Sequence, residues 1–235
     1  MKDNMEIIDA IKRGVWFKNL PDKAIARLAE RAMIKRYEPQ QFIVMLGEVP
    51  HHVCCIIQGS VRVSLSSSNG QQFMLALLYK DYWFGESSIA DNESRLLEVW
   101  AETEVDILQV PGALVKSVAK DYPVIYENLF HEHVNRTQLV YELLGGVLFY
   151  PLKARLASRL LFLLKHHGEP HEEGVALNLK LNQMDFARMS MGSRQRVNKA
   201  FREWVRDGVI EKRRDQYIVK NIDALTRATQ LEKKN

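Results

Sequence analysis

Short runs of apolar or alternating residues follow one another along the first half of the chain. They occupy residues 42–46, 53–57, 61–65, 73–78, 97–101 and 105–110. Turn-forming residues such as Gly47 and Gly59 lie between them, and this combination predicts β-strands. Several short strands at this spacing are typical of an antiparallel sandwich or barrel. Before the first run, apolar residues at helical spacing follow Pro21 and predict a helix.

The period of the pattern changes after Pro123. Up to Leu148, positions recur at three- and four-residue intervals, which predicts a helix over about residues 124–148. The recurring positions are Leu129, His133, Arg136, Val140, Leu143, Leu144 and Val147. A mixed apolar seam of this length favours pairing with the same helix of a second copy. The alternative is a helix that lies across its own barrel.

Gly145, Gly146 and Pro151 predict an interruption of the long helix, so we place a domain boundary between residues 149 and 150. The pattern after the boundary predicts a helix over 153–167, a strand within 175–181, and helices within 182–190 and 193–208. Two short β runs about a polar tip close the pattern at 209–219. Two helices separated by a tight turn and followed by a two-stranded wing predict a winged helix-turn-helix.

The second of these two helices has two different faces. Its apolar residues fall at core-facing positions, namely Val197, Ala200, Phe201, Trp204 and Val205. Ser193 is placed to cap its N-terminus. The opposite arc carries Arg194, Gln195, Asn198, Lys199, Arg202 and Arg206, without a carboxylate. A face that serves only solubility usually mixes both signs, so this arc indicates a nucleic-acid contact.

The net charge of +4 is divided unequally along the chain. Residues 1–149 hold 15 lysines and arginines against 19 acidic residues, whereas residues 150–235 hold 18 against 10. The C-terminal part is therefore strongly basic. Contact with a phosphate backbone favours such a charge, because counterion release supplies much of the affinity for nucleic acid. The alternative is a basic domain whose charge serves only solubility.

Composition excludes several other classes of protein. No uninterrupted apolar stretch is long enough to span a membrane, and the N-terminal segment lacks the apolar core of a secretory signal, so we expect a cytoplasmic protein. Two cysteines cannot supply the four thiolates of a typical iron–sulfur cluster. Cys54 and Cys55 are neighbours in one predicted strand and point to opposite faces, so we expect two free thiols and no metal site.

The order of barrel, long helix and winged domain, together with Phe84-Gly85-Glu86, resembles the Crp/Fnr superfamily of bacterial transcription regulators from about Phe17 to Ala224. The resemblance implies an α+β fold: an antiparallel β-barrel of the cyclic-nucleotide-binding, double-stranded β-helix kind, then a dimerisation helix and the DNA-binding domain. It implies a homodimer that binds promoter DNA at two half-sites and is not an enzyme. RNA polymerase is a possible partner.

The same resemblance implies an effector site in the barrel. Its residues would be Gly85, Glu86, Ser87, Arg95, Leu96, Val140 and Tyr141. Arg95 would grip a cyclic phosphate and Glu86 a ribose hydroxyl. Leu96, Val140 and Tyr141 stand where nucleotide-binding members carry hydroxyls, so cyclic AMP or another cyclic nucleotide is only one candidate effector.

Two other chemistries are alternatives for the barrel. A haem sensor would use His51, His52, His131 or His133, although ordinary surface histidines explain these residues as well. A β-barrel metal enzyme would need alternating histidines with a later Glu and His, which the run 51–60 lacks. No Ser or Cys stands in a recognisable nucleophile motif. The sequence therefore leaves the effector unidentified.

In the winged domain, the resemblance implies a division of roles among the DNA-contacting residues. Arg194, Gln195 and Lys199 would face base edges, while Ser193 and Arg196 would lie nearer phosphates. Asn198 belongs to the same face, and Arg213 and Arg214 would hold the backbone from the wing tip. Met191 stands where the helix-turn-helix usually has glycine, and Gly192 follows it. This departure leaves the start of the recognition helix uncertain by one residue.

Overall fold

The structure, a computed structural model, describes residues 2–49, 51–68, 71–90, 97–213 and 216–229. The chain divides into two compact units, unit 1 (residues 1–138) and unit 2 (residues 139–235). The predicted domain boundary between residues 149 and 150 stays a prediction. Within the described ranges, none of the helices combines the length and the apolar character needed to cross a membrane.

The described strands of unit 1 form two four-stranded antiparallel sheets. They are β1 (Met33–Tyr37), β2 (Phe42–Val44), β3 (His52–Gln58), β4 (Ser60–Ser66), β5 (Gln72–Tyr79), β6 (Trp83–Phe84), β7 (Glu98–Ala101) and β8 (Val105–Pro111). The strand orders are β1-β8-β3-β6 and β2-β7-β4-β5. The predicted fold class is confirmed, with two sheets in place of one closed barrel.

The six predicted strands are present, and the sequence pattern missed two. β1 has mostly exposed side chains, so it lacks apolar alternation; an ion pair from Arg36 Nε to Asp106 Oδ1 at 2.8 Å ties it to β8. β6 contains only two residues and pairs with Cys54 and Cys55 of β3. A strand that is short or solvent-facing gives no periodic signal of its own.

Two apolar cores share β3 between them. Ile56, Val61 and Ile107 are among the buried residues of the first core, which the two sheets form, and Cys54 belongs to it. Cys55 belongs to a second core, which includes residues of the helices α1 (Lys2–Arg13), α2 (Asp22–Ala29) and α3 (Gly112–Asp121). The two cysteines are not joined in a disulfide and belong to cores on opposite sides of the strand, and burial raises the pKa of Cys55.

The long helix α4 spans Val124–Phe149. It passes through Gly145 and Gly146 without interruption, so the predicted break at these glycines is wrong. A Cβ at either glycine would meet no described atom within 4 Å, so neither position needs glycine for lack of space. The helix ends before Pro151, whose ring cannot continue it.

Unit 2 has the predicted winged helix-turn-helix with additional elements around it. Its elements are α5 (Leu152–His167), β9 (Gly168–His171), β10 (Gly174–Leu177), α6 (Gln183–Ser190), α7 (Arg194–Arg206), β11 (Ile210–Arg213), β12 (Gln216–Val219) and α8 (Ile222–Thr229). The described strands pair in the order β11-β12-β10-β9. The core of unit 2 contains Phe186, Phe201 and Tyr217, whose ring centroids lie 4.9 to 5.4 Å apart.

Candidate nucleic-acid interface and sensor site

The first helix of the helix-turn-helix, α6, begins with a reciprocal cap. Asn182 Oδ1 accepts hydrogen bonds from the backbone N–H of Met184 at 2.7 Å and of Asp185 at 3.2 Å. The Asp185 carboxylate accepts one from the backbone N–H of Asn182 at 2.8 Å. These bonds satisfy backbone donors that an α-helix leaves free at its start, so the beginning of α6 is fixed by its own sequence.

The conformation of the turn between α6 and α7 explains why Met191 stands where the motif usually has glycine and why glycine follows at 192. Met191 adopts the left-handed conformation, with φ of 52°. A Cβ at Gly192 would lie 2.6 Å from Leu152 Cδ1, so a side chain here would force the buried Leu152 to shift. Ser193 then caps α7, its Oγ accepting from the backbone N–H of Arg196 at 3.3 Å. The recognition helix therefore begins at Arg194.

Arg155 of α5 holds this turn in place, which sequence reasoning missed. Its guanidinium donates to the carbonyl oxygens of Ser190 at 2.9 Å and Met191 at 3.4 Å. It also donates to the carbonyls of Val147 at 3.3 Å and Tyr150 at 2.9 Å, at the end of α4. Burial and the nearby positive charge of Arg196 lower the pKa of Arg155. One side chain thus joins the end of α4 to the helix-turn-helix turn.

The buried face of α7 follows the predicted apolar stripe at four of its five positions. Val197, Ala200, Phe201 and Trp204 are buried. Val205 is 47% exposed, so its prediction as a core residue is wrong. It lies at the edge of the stripe, beside a surface cleft that Arg206 also lines. The orientation of the rest of α7 is therefore set by the core of unit 2.

The predicted DNA-contacting residues of α7 and its N-cap lie at the surface of unit 2. Ser193, Arg194, Gln195, Arg196 and Lys199 are exposed and Asn198 is half-buried. In the described part of the chain, no carboxylate lies within ion-pair distance of Arg194, Arg196 or Lys199. Because these cations form no ion pair with a described carboxylate, their charge is available to an external polyanion.

The cation at the predicted wing tip has internal partners. Arg213 of β11 pairs with Glu211 at 2.5 Å and with Glu173. Lys220 pairs with the same two carboxylates, at 2.5 Å from Glu211 and 3.4 Å from Glu173. Hydrogen bonds from Arg213 and Lys220 lower the pKa of Glu211 to about 2. Arg214, the other predicted wing residue, lies outside the described residues.

In unit 1, three of the predicted effector residues, Gly85, Glu86 and Ser87, lie in or next to a short 3₁₀ turn after β6. Gly85 has φ of 91°, which favours glycine, and Ser87 is exposed. The Glu86 carboxylate lies 3.0 Å from Nη1 of Arg136, which sequence reasoning placed in the dimer seam. Val140 and Tyr141 of α4 are 51% and 66% exposed. The predicted anion anchor Arg95 and its neighbour Leu96 lie outside the described residues.

Arg136 has several internal partners. Its Nη2 donates to the carbonyl of Trp83 at 2.6 Å, and its Nε donates to Glu132 at 3.1 Å. The guanidinium lies 4.9 Å from the ring centroid of Tyr82 and 5.4 Å from that of Trp16. Burial acts to lower the pKa of Arg136, but the charge of Glu86 and its other neighbours raises it. Only about 20% of the side chain is exposed.

The space beside this arginine is small. Leu129, His133 and Arg136, all predicted for the dimer seam, line a cavity of about 10 Å³ together with Trp16 and Glu86. Leu129 and Arg136 therefore contact other residues of their own chain, whereas His133 is exposed. A cavity of that volume holds about one water molecule. Among the described residues, no three His, Cys, Asp or Glu side chains are grouped to hold a metal ion.

Two family models match different parts of this chain. The cyclic nucleotide-binding domain matches residues 34–122, and the Crp-like helix-turn-helix domain matches residues 154–228. The first match covers the strands of unit 1 with Glu86, and the second covers Arg155, the turn and α7. The two models thus fall on the two regions that the geometry singles out.

Curated relatives and solved structures give the same architecture. The chain is 25% identical over 221 residues to a CRP-like cAMP-activated global transcriptional regulator of Mycobacterium tuberculosis, covering 93% of this chain and 98% of the relative. A global nitrogen regulator of a Nostoc species is 24% identical over 71% of this chain and 78% of its own. A CooA variant from Carboxydothermus hydrogenoformans matches with a TM-score of 0.76 at 19% identity, over 91% and 92% of the two chains.

Proposed function

The chain belongs to the Crp/Fnr superfamily of transcription regulators, and we propose that it is a homodimer that inserts α7 of each copy into the major groove of promoter DNA. It is a DNA-binding regulator under the control of an effector. The observation that carries the proposal is the exposed face of α7, where Arg194, Arg196 and Lys199 have no described carboxylate partner. The curated relatives are transcription regulators, so we propose a regulator rather than an enzyme.

The residues of this face take different roles in the proposal. Arg194 is the first residue of α7, where its planar fork can bond O6 and N7 of guanine together. Gln195 can pair with adenine, and Lys199 adds a less selective positive charge. Ser193 and Arg196 stand beside the helix N-terminus, where backbone donors favour a phosphate. Asn198 is half-buried, so we give it a supporting contact.

In the proposal, the wing contacts the phosphate backbone of the DNA. Arg213 and Arg214 hold phosphates without reading sequence. Arg213 must exchange Glu173 and Glu211 for a phosphate, and all these side chains are at least 30% exposed. Exposed ion pairs contribute little stability, so the exchange costs little. RNA polymerase contact and a cytoplasmic location stay predictions.

Apolar side chains exposed along α4 support the dimer. Phe130, Tyr141, Leu144, Leu148 and Phe149 are each more than half exposed in the single chain. Exposed apolar residues at this density on one helix mark a protein interface. Leu144→Glu should convert the dimer to a monomer in sedimentation experiments, while Lys165→Glu on α5 should leave it a dimer. A monomeric wild-type chain at all concentrations would remove this part of the proposal.

A cyclic nucleotide is one candidate effector for unit 1, since a cyclic nucleotide-binding domain matches residues 34–122. Glu86 is occupied by Arg136, and the cavity beside it has a volume of about 10 Å³. Titration calorimetry of the full chain with cyclic AMP and with cyclic GMP tests the nucleotide, with Arg95→Ala as the variant that removes the proposed anion anchor. Absorbance of the purified protein tests the haem alternative through His51, His52, His131 or His133.

The DNA-binding proposal is tested by selecting duplexes from a random library with the full-length chain. We expect one preferred sequence with two half-sites about 10 base pairs apart. Affinity for it should fall steeply as salt rises, because counterions are released on binding. No enrichment of any sequence, or affinity that does not change with salt, would contradict the proposal.

A further inference from the structure

A cleft of about 390 Å³ opens between α7 and the first strand of the wing. Its walls contain Phe201, which is buried, and Tyr217, which is 1% exposed. Its charged lining residues are Arg202 and Arg206 of α7 and Lys212 of β11. All three are exposed cations, and Lys212 Nζ lies 5.6 Å from the ring centroid of Tyr217. The cleft therefore joins an apolar floor to a cationic rim.

The rim of the cleft continues the face of α7 that the proposed function assigns to DNA. At about 100° per residue, Gln195, Lys199, Arg202 and Arg206 fall within about 60° of one another around the helix. They form one stripe along its axis. The sequence pattern already showed Arg202 and Arg206 on this arc, but the base contacts proposed above do not use them.

Distance along α7 separates the two ends of the stripe. With a rise of 1.5 Å per residue, Arg202 lies about 12 Å beyond Arg194 along the helix axis. The major groove is about 8.5 Å deep. A helix that enters N-terminus first therefore leaves Arg202 and Arg206 at the level of the groove edge, where phosphates lie and base edges do not.

We infer that this cleft binds a backbone phosphate of DNA, held by Arg202, Arg206 and Lys212. The inference rests on the proposed function and extends it from the N-terminus of α7 to the wing strand. Guanidinium groups bind phosphate oxygens through paired hydrogen bonds, and the ammonium of Lys212 adds a point charge.

The present partners of these cations are consistent with a phosphate ligand. In the described part of the chain, no carboxylate lies within ion-pair distance of Arg202 or Lys212. Arg206 pairs with Asp207 at 2.9 Å, and both side chains are exposed. An exposed pair of this kind is weak, so a phosphate can replace Asp207 at little cost.

The test compares the full-length wild type with a triple variant, Arg202→Ala, Arg206→Ala and Lys212→Ala. Affinity is measured over a range of salt for the selected duplex and for a random duplex of about 30 base pairs. Each lost phosphate contact should reduce the slope of log K against log salt by about 0.9, so the triple variant should lose about 2 to 3. The affinity loss should be equal on both duplexes, with the preferred sequence unchanged.

Two further variants separate charge from fold and from position. Arg202→Lys should keep most of the slope, because a phosphate contact needs the positive charge. Arg227→Ala removes the same charge from α8, outside the cleft, and should leave the slope unchanged. Urea unfolding should be the same for all these variants, since the three cleft cations are exposed.

Three outcomes would overturn the inference. A triple variant with the wild-type slope overturns it while leaving the proposed function intact. A changed base preference for Arg202→Ala also overturns it, because the residue would then read sequence. Failure of the wild type to bind any duplex overturns both the inference and the proposed function.

Discussion

Arg136 of unit 1 and Arg194 of unit 2 have opposite surroundings. In unit 1, Arg136 is about four-fifths buried and bonds Glu86, Glu132 and the carbonyl of Trp83. In unit 2, Arg194 and Lys199 are exposed and have no described carboxylate within ion-pair distance. A cation with internal partners orients the elements around it. Cations without internal partners can instead form ion pairs with an anion from outside the protein.

Unit 2 also contains an internally bonded cation. The role of a cation therefore depends on its surroundings and not on the unit to which it belongs. Arg155 donates to four backbone carbonyls at the end of α4 and in the helix-turn-helix turn. Removing an internally bonded cation should reduce stability. Removing an exposed one should reduce binding alone.

The largest effect should come from Arg136. Arg136→Met leaves Glu86 and Glu132 partly buried without their cation, and should lower the free energy of unfolding by about 3 kcal/mol. Urea unfolding followed by tryptophan fluorescence measures this change. Arg31→Ala, which removes an exposed arginine of the same unit, is the control and should stay within about 0.5 kcal/mol of wild type. Equal stability of Arg136→Met and wild type would break the comparison.

Arg155→Ala should follow with a loss of about 2 kcal/mol, because four carbonyls lose a charged donor and some remain shielded from water. Arg155→Lys should be intermediate, since an ammonium cannot span all four acceptors. Thermal unfolding of the full chain measures the effect, with Lys165→Ala of the same helix as the control. If Arg155→Ala unfolds like Lys165→Ala, the guanidinium does not hold the turn.

Met191→Gly should stabilise the turn by about 1 kcal/mol. Met191 holds a left-handed conformation that costs a residue with a side chain about 1 to 2 kcal/mol, and it is 53% exposed, so little packing is lost. Gly192→Ala should have the opposite sign, because its Cβ would lie 2.6 Å from Leu152 Cδ1. Denaturant unfolding of both variants checks the signs, and a destabilised Met191→Gly would contradict this account of the turn.

The smallest effect should be the pH dependence of the wing. The pKa of Glu211 is lowered to about 2 by Arg213 and Lys220, below its ordinary value of 4.5. Its stabilising contribution is present above the ordinary pKa and is lost as pH falls towards 2. The stability difference between wild type and Glu211→Gln should therefore shrink between pH 5 and pH 3. A difference that is constant over this range would show that the wing ion pairs contribute nothing.

Much of the fold could be predicted because periodicity is a local signal. Residues 53–57 and 105–110 alternate or run apolar, and both are strands in the structure. The stripe through Val197 and Trp204 predicted the buried face of α7. β1 escaped prediction because its residues are mostly exposed, so its pairing with β8 depends on distant sequence.

The candidate sites were predicted unequally for a related reason. The cationic face of α7 is contained in one helix, so residue spacing alone brings Arg194, Gln195 and Lys199 together. The contact between Arg136 and Glu86 joins residues 50 positions apart, and helical spacing placed Arg136 in the dimer seam. Arg155 likewise acts on carbonyls of Ser190 and Met191, which side-chain patterns do not show.

The central claim is that cations without internal partners on α7 read DNA. Arg194→Ala and wild type should be compared on the selected site and on a library of its single-base-pair variants, with urea unfolding measured in parallel. We predict a loss of about 1 to 3 kcal/mol on the preferred half-site, little loss elsewhere and unchanged unfolding. An equal loss on every duplex, or a loss of folding stability like that of Arg136→Met, would contradict the account.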